Sequence, residues 1–313
     1  MSEIKSVIII ITINLIVCAN CVYDLIEDRI KRVRQDIIKW ADDNPNDVDT
    51  YDLEHIKAKD FIIERYLMEY NFGEKEAMDK IISALKFYKS EGLAQLDDQY
   101  FPSEFYATGW LIRHGVSKTG GYIVGFCNRC MVPYNDVSWK MFELGRKFVA
   151  YFLYKNRMEL DKGPRLGYNA MNDTGIVHID IRLVKFIAEY LNYYMPQTSL
   201  TCIVTDMPFA VAVPFKLVVN LLSPKFKNKV VYTKMSDIGS WIDTKEIPQY
   251  CGGKYKNFSR IPEGVKSGKC LTHLNHIPAK DWIEFRKQNI KCIKEGMRDM
   301  GIKSVIKYLN IDC

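Results

Sequence analysis

The residues of this chain that could carry chemistry are nine cysteines, five histidines and a Lys-Thr pair beside two glycines. Cys127-Asn-Arg-Cys130 is a single C-x-x-C with no second pair, and Cys270, His273 and His276 form only a loose cluster, so neither has the spacing of a zinc centre. His55, His114 and His178 stand alone in sequence. With no G-x-S-x-G elbow and no H-E-x-x-H, neither a nucleophile with its base nor a metallohydrolase can be read. Lys118-Thr119 precedes Gly120-Gly121, the reverse of the order a phosphate-binding loop needs, and the same glycines suit a β-turn. Cys202 lies inside the apolar run Leu200 to Val204, where a reduced, buried thiol is the usual occupant, and the scatter of the cysteines speaks against a disulfide framework. The chain is expected to be no enzyme and to need no cofactor and no metal.

The elements that would position any site follow from hydrophobic periodicity. Ile26, Ile30, Val33, Ile37 and Trp40 recur at spacings of three and four, which predicts a helix from Leu25 to Ala41 ending at Asp42-Asp43-Asn44-Pro45. The same pattern predicts helices over Ala58 to Tyr70 and Glu74 to Gly92, so the first third reads as a small helical bundle. A short helix near Pro102 to Trp110 leads into two strands around the turn Ser117 to Gly121. Helices at Val137 to Leu160, Ile179 to Tyr194 and Pro214 to Leu222 then alternate with strands at Arg165 to Met171, Leu200 to Asp206 and Lys229 to Tyr232. That alternation requires crossover connections, and so an α/β fold with a mixed, largely parallel sheet covered by helices. The expected organisation is an N-terminal segment over residues 1–23, a helical lobe over 24–96, an α/β domain over 97–256 and a basic helical tail over 257–313.

The net charge of +6 is concentrated in that tail, where residues 254–313 hold thirteen Lys/Arg against six Asp/Glu. It carries no signature of a nucleic-acid binder, so no nucleic-acid partner is expected. Trp282, Phe285 and Ile293 with Lys287, Lys291, Lys294 and Arg298 predict a basic helix that docks on the domain in preference to an anionic membrane. At the other end, Val7 to Ala19 is almost purely apolar and ends in Val17-Cys18-Ala19, which resembles a signal-peptidase site. Read through Tyr23 it is a short anchor, and the cations Arg29, Lys31, Arg32 and Arg34 behind it favour a body on the cytoplasmic face of an endomembrane. The sequons Asn172-Asp-Thr and Asn257-Phe-Ser mark the alternative, a secreted chain.

The ordered series Met195-Pro196-Gln197, Ile203-Val-Thr-Asp206-Met-Pro208, Phe215-Lys216, Leu221-Leu222-Ser-Pro224, Lys229-Val230 and Ile247-Pro248-Gln-Tyr-Cys-Gly252-Gly253 resembles the CRAL-TRIO family of lipid-transfer domains. Asp60-Phe-Ile-Ile-Glu-Arg-Tyr-Leu67 and Leu85-Lys-Phe-Tyr-Lys89 are similar to that family's N-terminal helical lobe, so the resemblance spans about residues 28 to 256. Through Asp173-Thr-Gly-Ile176, Val184-Lys-Phe-Ile187 and Asp206-Met-Pro208 it comes nearest to the CRAL-TRIO part of motile sperm domain-containing protein 2. The resemblance implies a hydrophobic lipid held in a cavity between a sheet floor and a movable gate helix, and a membrane surface as the second partner. The gate would be Pro214 to Leu222, with Phe215, Val218, Val219 and Leu222 on the cavity face together with Phe186 and Ile203. Lys216 and Asn220 form a narrow polar stripe, while Gln197, Lys216 and Lys229 stand where a headgroup or membrane contact is expected. Inositol-binding members usually carry Glu where Gln197 stands, and Ala170-Met-Asn-Asp173 departs from the family's strand ending in Asp. At about 0.8 kcal/mol per CH₂, some thirty methylenes leaving a bilayer lose on the order of 20 kcal/mol in water. Such a protein therefore needs dry walls and a door, with no reactive group.

Overall fold

The structure is a computed structural model that describes residues 25–131, 137–157, 165–196, 200–255 and 260–299. The apolar segment over residues 1–23 and Gln197 therefore lie outside the described residues. The chain divides into two compact units, Met1–Ser90 and Glu91–Cys313, a boundary ahead of Leu96.

The first unit is helical. Helix α1 covers residues 25–43, α2 Thr50–Ala58, α3 Asp60–Glu69 and α4 Glu74–Ser90. The helix expected from Ala58 to Tyr70 is α3, starting after the extended Lys59, and α2 ahead of it is a further helix that the apolar spacing does not predict. Asp49 starts α2 by accepting from the Tyr51 amide, a local cap that apolar spacing does not reveal. Ile30, Val33, Ile37, Ile56, Ile63, Leu67, Ile81 and Leu85 form the core of this unit. At its edge Lys80 Nζ donates to Glu69 Oε1 at 2.8 Å with both side chains buried, so each charge depends on the other.

In the second unit α5 (Ser103–Thr108) ends at Gly109, whose φ of 65° suits glycine, and leads into the hairpin β1 (Leu111–Val116) and β2 (Tyr122–Cys127). Lys118-Thr119 sits in the hairpin turn, closed by Ser117 N donating to Gly121 O. Helix α6 (Trp139–Arg157) crosses to β3 (Arg165–Ala170), α7 (Ile181–Tyr193) to β4 (Leu200–Thr205), and α8 (Phe209–Asn220) with α9 (Pro224–Lys227) to β5 (Val230–Thr233). The five strands lie in the order β1 to β5; β1 pairs antiparallel with β2 and every later pair is parallel. The mixed, largely parallel sheet read from the alternation is thus the observed fold class.

The expected gate helix begins earlier than Pro214. Helix α8 starts at Phe209 and carries Pro214 inside it, since buried Val211 anchors the turn before the proline. Cys130 and Cys292 form a disulfide and Cys270 is also disulfide-bonded, pairings that the scatter of the cysteines does not suggest, while Cys202 is a free thiol as expected. The bridge joins the end of β2 to α10 (Ala279–Asp299) across 162 positions, a pairing that spacing in sequence cannot disclose. Helix α10 is docked on the domain: Trp282, Phe285 and Ile293 are buried, and Arg286 pairs with the fully buried Glu104 of α5. Glu104 also accepts from Ser267 Oγ and the Gly268 amide, so its charge is fully engaged.

Behind β5 the chain returns past the sheet as short 3₁₀ turns, and here a glycine is required by contact. A Cβ on Gly253 would lie 2.0 Å from the Ile247 carbonyl oxygen, and Gly252 beside it holds φ at 91°. Gly253→Ala is therefore expected to cost about 3 kcal/mol or to prevent folding, and Gly239→Ala, with nothing within 4 Å, to stay within about 0.5 kcal/mol in a denaturant titration.

His114 gives a pH test. Its Nδ1–H donates to the Glu246 carbonyl at 2.6 Å, and burial pushes the imidazole down to about 4. The unfolded chain binds that proton near pH 6.5 and the folded chain does not, so stability falls as pH drops from about 6.5 to about 4. Thermal melts across this window should show a loss on the order of 3 kcal/mol, and His114→Gln should flatten the slope. An unchanged slope would mean that His114 is solvated.

Candidate functional site

Period-2 alternation sends Val124, Phe126, Asn169, Cys202 and Val230 to one face of the sheet, the face crossed by α7 and α8. On α7 the residues Val184, Ile187, Ala188 and Leu191 recur at helical spacing, and α8 adds Phe215 and Val219. Together with Trp110, Asn128, Met131, Leu153, Met195, Leu222 and Phe226 they enclose an apolar chamber between sheet and helices.

Most of the few polar groups in its wall are engaged, whereas the buried Trp110 Nε1–H has no hydrogen-bond partner among the described residues. Asn128 Nδ2 donates to the carbonyls of Phe126 and Ala170, and Asn169 Nδ2 donates to Cys202 Sγ at 2.9 Å. Burial pushes the Cys202 thiol up to about 12, which leaves it protonated and a poor nucleophile. Such a wall can exclude water and hold an apolar body.

Phe215, Val219 and Leu222 are therefore brought together on the chamber as expected. Ile203 is buried on the opposite sheet face, one residue out of phase with Cys202, so it packs the core instead. Phe186 is off the lining stripe of α7 and lies under Arg146, whose Cζ is 5.1 Å from its ring centroid. The Val218 side chain lies outside the described residues. Lys216 is exposed, and Lys229 stands just before β5 with its carbonyl accepting from the Cys202 amide. What sequence reasoning missed is the sheet floor and the α7 face, although the spacing Val184, Ile187, Ala188, Leu191 was a legible signal.

Among the described residues, the other face of α8 is left exposed. Phe209, Val213, Leu217 and Leu221 follow one another every four residues and are 93%, 66%, 62% and 44% exposed. Helix α8 is thus apolar both toward the chamber and toward the outside, an arrangement that water alone does not favour.

The isolated histidines have structural partners. His55 Nδ1–H donates to Tyr51 O, and His178 Nδ1 accepts from the Gly175 amide. His273 donates to Tyr100 O while stacked on that ring, and His276 donates to His273 O. Among the described residues, no group of three or more His, Cys, Asp or Glu could hold a metal ion, and no helix is long and apolar enough to cross a membrane.

Residues 147–253 match the family model of the CRAL/TRIO domain. The fold is similar to a solved structure described as the crystal structure of Sfh5, with a TM-score of 0.55 and 13% identity over 84% of this chain and 98% of that chain. The matched stretch contains α7, α8, β3, β4, β5 and the turn at Gly252-Gly253, which are the parts that build most of the chamber wall.

Val219→Asp places a carboxylate against apolar walls that cannot solvate it, at a cost of several kcal/mol for the loaded state. Binding of an environment-sensitive apolar dye should fall by about tenfold or more. Asn220→Asp, on the exposed stripe, should leave dye binding within about twofold. Equal loss in both proteins would remove α8 from the chamber wall.

Proposed function

We propose that this protein holds a single hydrophobic lipid in the chamber behind α8 and transfers or presents it at membranes, without covalent chemistry on the lipid. The observation that carries this reading is the two-sided apolarity of α8. Its inner residues Phe215 and Val219 offer a dry wall, and its outer residues Phe209, Val213, Leu217 and Leu221 offer a surface that can enter a bilayer. Helix α8 is then the gate, Pro214 weakens its hydrogen-bond ladder, and the exposed Lys216 meets anionic headgroups as the outer stripe settles. Gln197 and Lys229 are the further headgroup candidates. The match to the CRAL/TRIO domain model supports lipid binding in general, and the nearer likeness to motile sperm domain-containing protein 2 is carried by the sequence motifs alone. The rival is a membrane-tethering scaffold that does not transfer lipid.

Mass spectrometry of the protein purified from a eukaryotic host decides between them. A carrier co-purifies with about one lipid per chain, and Ala188→Trp, which fills the chamber, loses it while remaining folded. A scaffold gives no stoichiometric lipid in either protein.

For the side of the membrane, one observation favours the secreted or lumenal alternative over the cytoplasmic face of an endomembrane. A disulfide such as Cys130–Cys292 persists in oxidising compartments and is rare in the cytosol. A mature N-terminus near Asn20 and a glycan at Asn257 removed by endoglycosidase are the expected results. An unprocessed, unglycosylated chain would place the body on the cytoplasmic face.

A further inference from the structure

Four cysteines from separate parts of the second unit meet behind the chamber wall. Cys127 ends β2, Cys130 lies three residues on, Cys251 comes from the turn before Gly252-Gly253, and Cys292 from α10. Cys130 and Cys292 are bonded to each other, and the free Cys127 Sγ lies 3.9 Å from Cys130 Sγ. We propose that this cluster is a thiol–disulfide exchange centre, in which Cys127 attacks Cys130 and transfers the bridge from Cys130–Cys292 to Cys127–Cys130.

The step balances within the chain. The Cys127 thiolate forms a bond to Cys130 Sγ, the Cys130–Cys292 bond breaks, and Cys292 departs as a thiolate that takes up the proton Cys127 released. One disulfide and one thiol exist before and after, so no outside oxidant or reductant is used. The product is a bridge within C-x-x-C, a spacing that forms disulfides readily.

The surroundings favour Cys127 as the attacking group. Cys251 donates a hydrogen bond to its sulfur, and the guanidinium groups of Arg129 and Arg260 stand near, so the thiol is held below its ordinary value in spite of burial. Those cations are fixed in place. Arg129 donates to Tyr250 O and Glu295, and Arg260 donates to the carbonyls of Ala107, Thr108 and Cys292 while lying over the Tyr250 ring.

The exchange would move a thiol from the interior to the wall of a cavity. Cys127 is fully buried, whereas Cys292, itself 7% exposed, lines a cavity of about 380 Å³ beside Arg129, His178 and Lys291. It would also cut the covalent tie between α10 and residues 127–131, of which Asn128 and Met131 belong to the chamber wall. The effect on the ligand rests on the lipid reading above; the exchange itself does not.

The test uses the full chain under native conditions with N-ethylmaleimide, followed by acid quench, digestion and mapping of tags and disulfides. Wild type should accumulate a tag on Cys292 together with a Cys127–Cys130 bridge, because the reagent reaches the released Cys292 thiol through the cavity it lines and draws the exchange forward. In Cys127→Ala, Cys292 should be tagged at least about tenfold more slowly. A wild type that keeps only the Cys130–Cys292 bridge overturns the proposal, as does an equal rate of Cys292 tagging in both proteins. If the wild-type exchange is mapped but co-purified lipid is retained equally before and after it, the exchange stands and its coupling to the chamber fails.

Discussion

The structure depends on a single unusual demand, that α8 be apolar on two opposite sides. A helix on a parallel sheet ordinarily buries one stripe and shows water the other. Here Phe215 and Val219 face the chamber, while Phe209, Val213, Leu217 and Leu221 face outward, exposed among the described residues. Lys216 and Asn220 supply polar side chains at the surface between these stripes. The free energy of such a helix is lowered by something apolar inside and something apolar outside, a condition that the proposed carrier would meet at a bilayer.

The rest of the second unit serves to hold the opposite wall still. Parallel strands pair Val124, Gly167, Cys202 and Val230 in register, so the sheet floor is rigid and continuous. In the chain after β5, Gly253 is pressed against the Ile247 backbone, a contact that admits no side chain. Glu104, gripped by Ser267, Gly268 and Arg286, ties α5 to α10, and the Cys130–Cys292 bridge ties α10 to the end of β2. None of these anchors holds the outer side of α8, whose residues Phe209, Val213, Leu217 and Leu221 are exposed.

Much of this was legible in the residues, and the failures have physical causes. Long apolar periods gave α1, α4, α6 and α7, and the alternation of strands and helices gave the sheet type. Ile203, expected on the cavity face, is turned away from it, because a strand changes face at every residue and Cys202 holds the inward position. Phe186 failed in the same way by helical phase. Pro214 was read as a helix start, the position proline usually takes, whereas the buried Val211 turn before it extends the helix to Phe209. The disulfide was unreadable, since a pairing over 162 positions is a property of the folded chain alone.

The most direct test is where a lipid touches the protein. A photoactivatable, bifunctional phospholipid with its diazirine near the end of an acyl chain should be loaded from vesicles, irradiated and mapped by peptide mass spectrometry. The account predicts adducts within residues 184–195 and 215–230, the peptides that carry Ile187, Leu191, Val219 and Val230. Adducts confined to the exposed residues Phe209, Val213 and Leu217, with none on the inner face, would contradict it and leave α8 as a surface anchor without a chamber behind it.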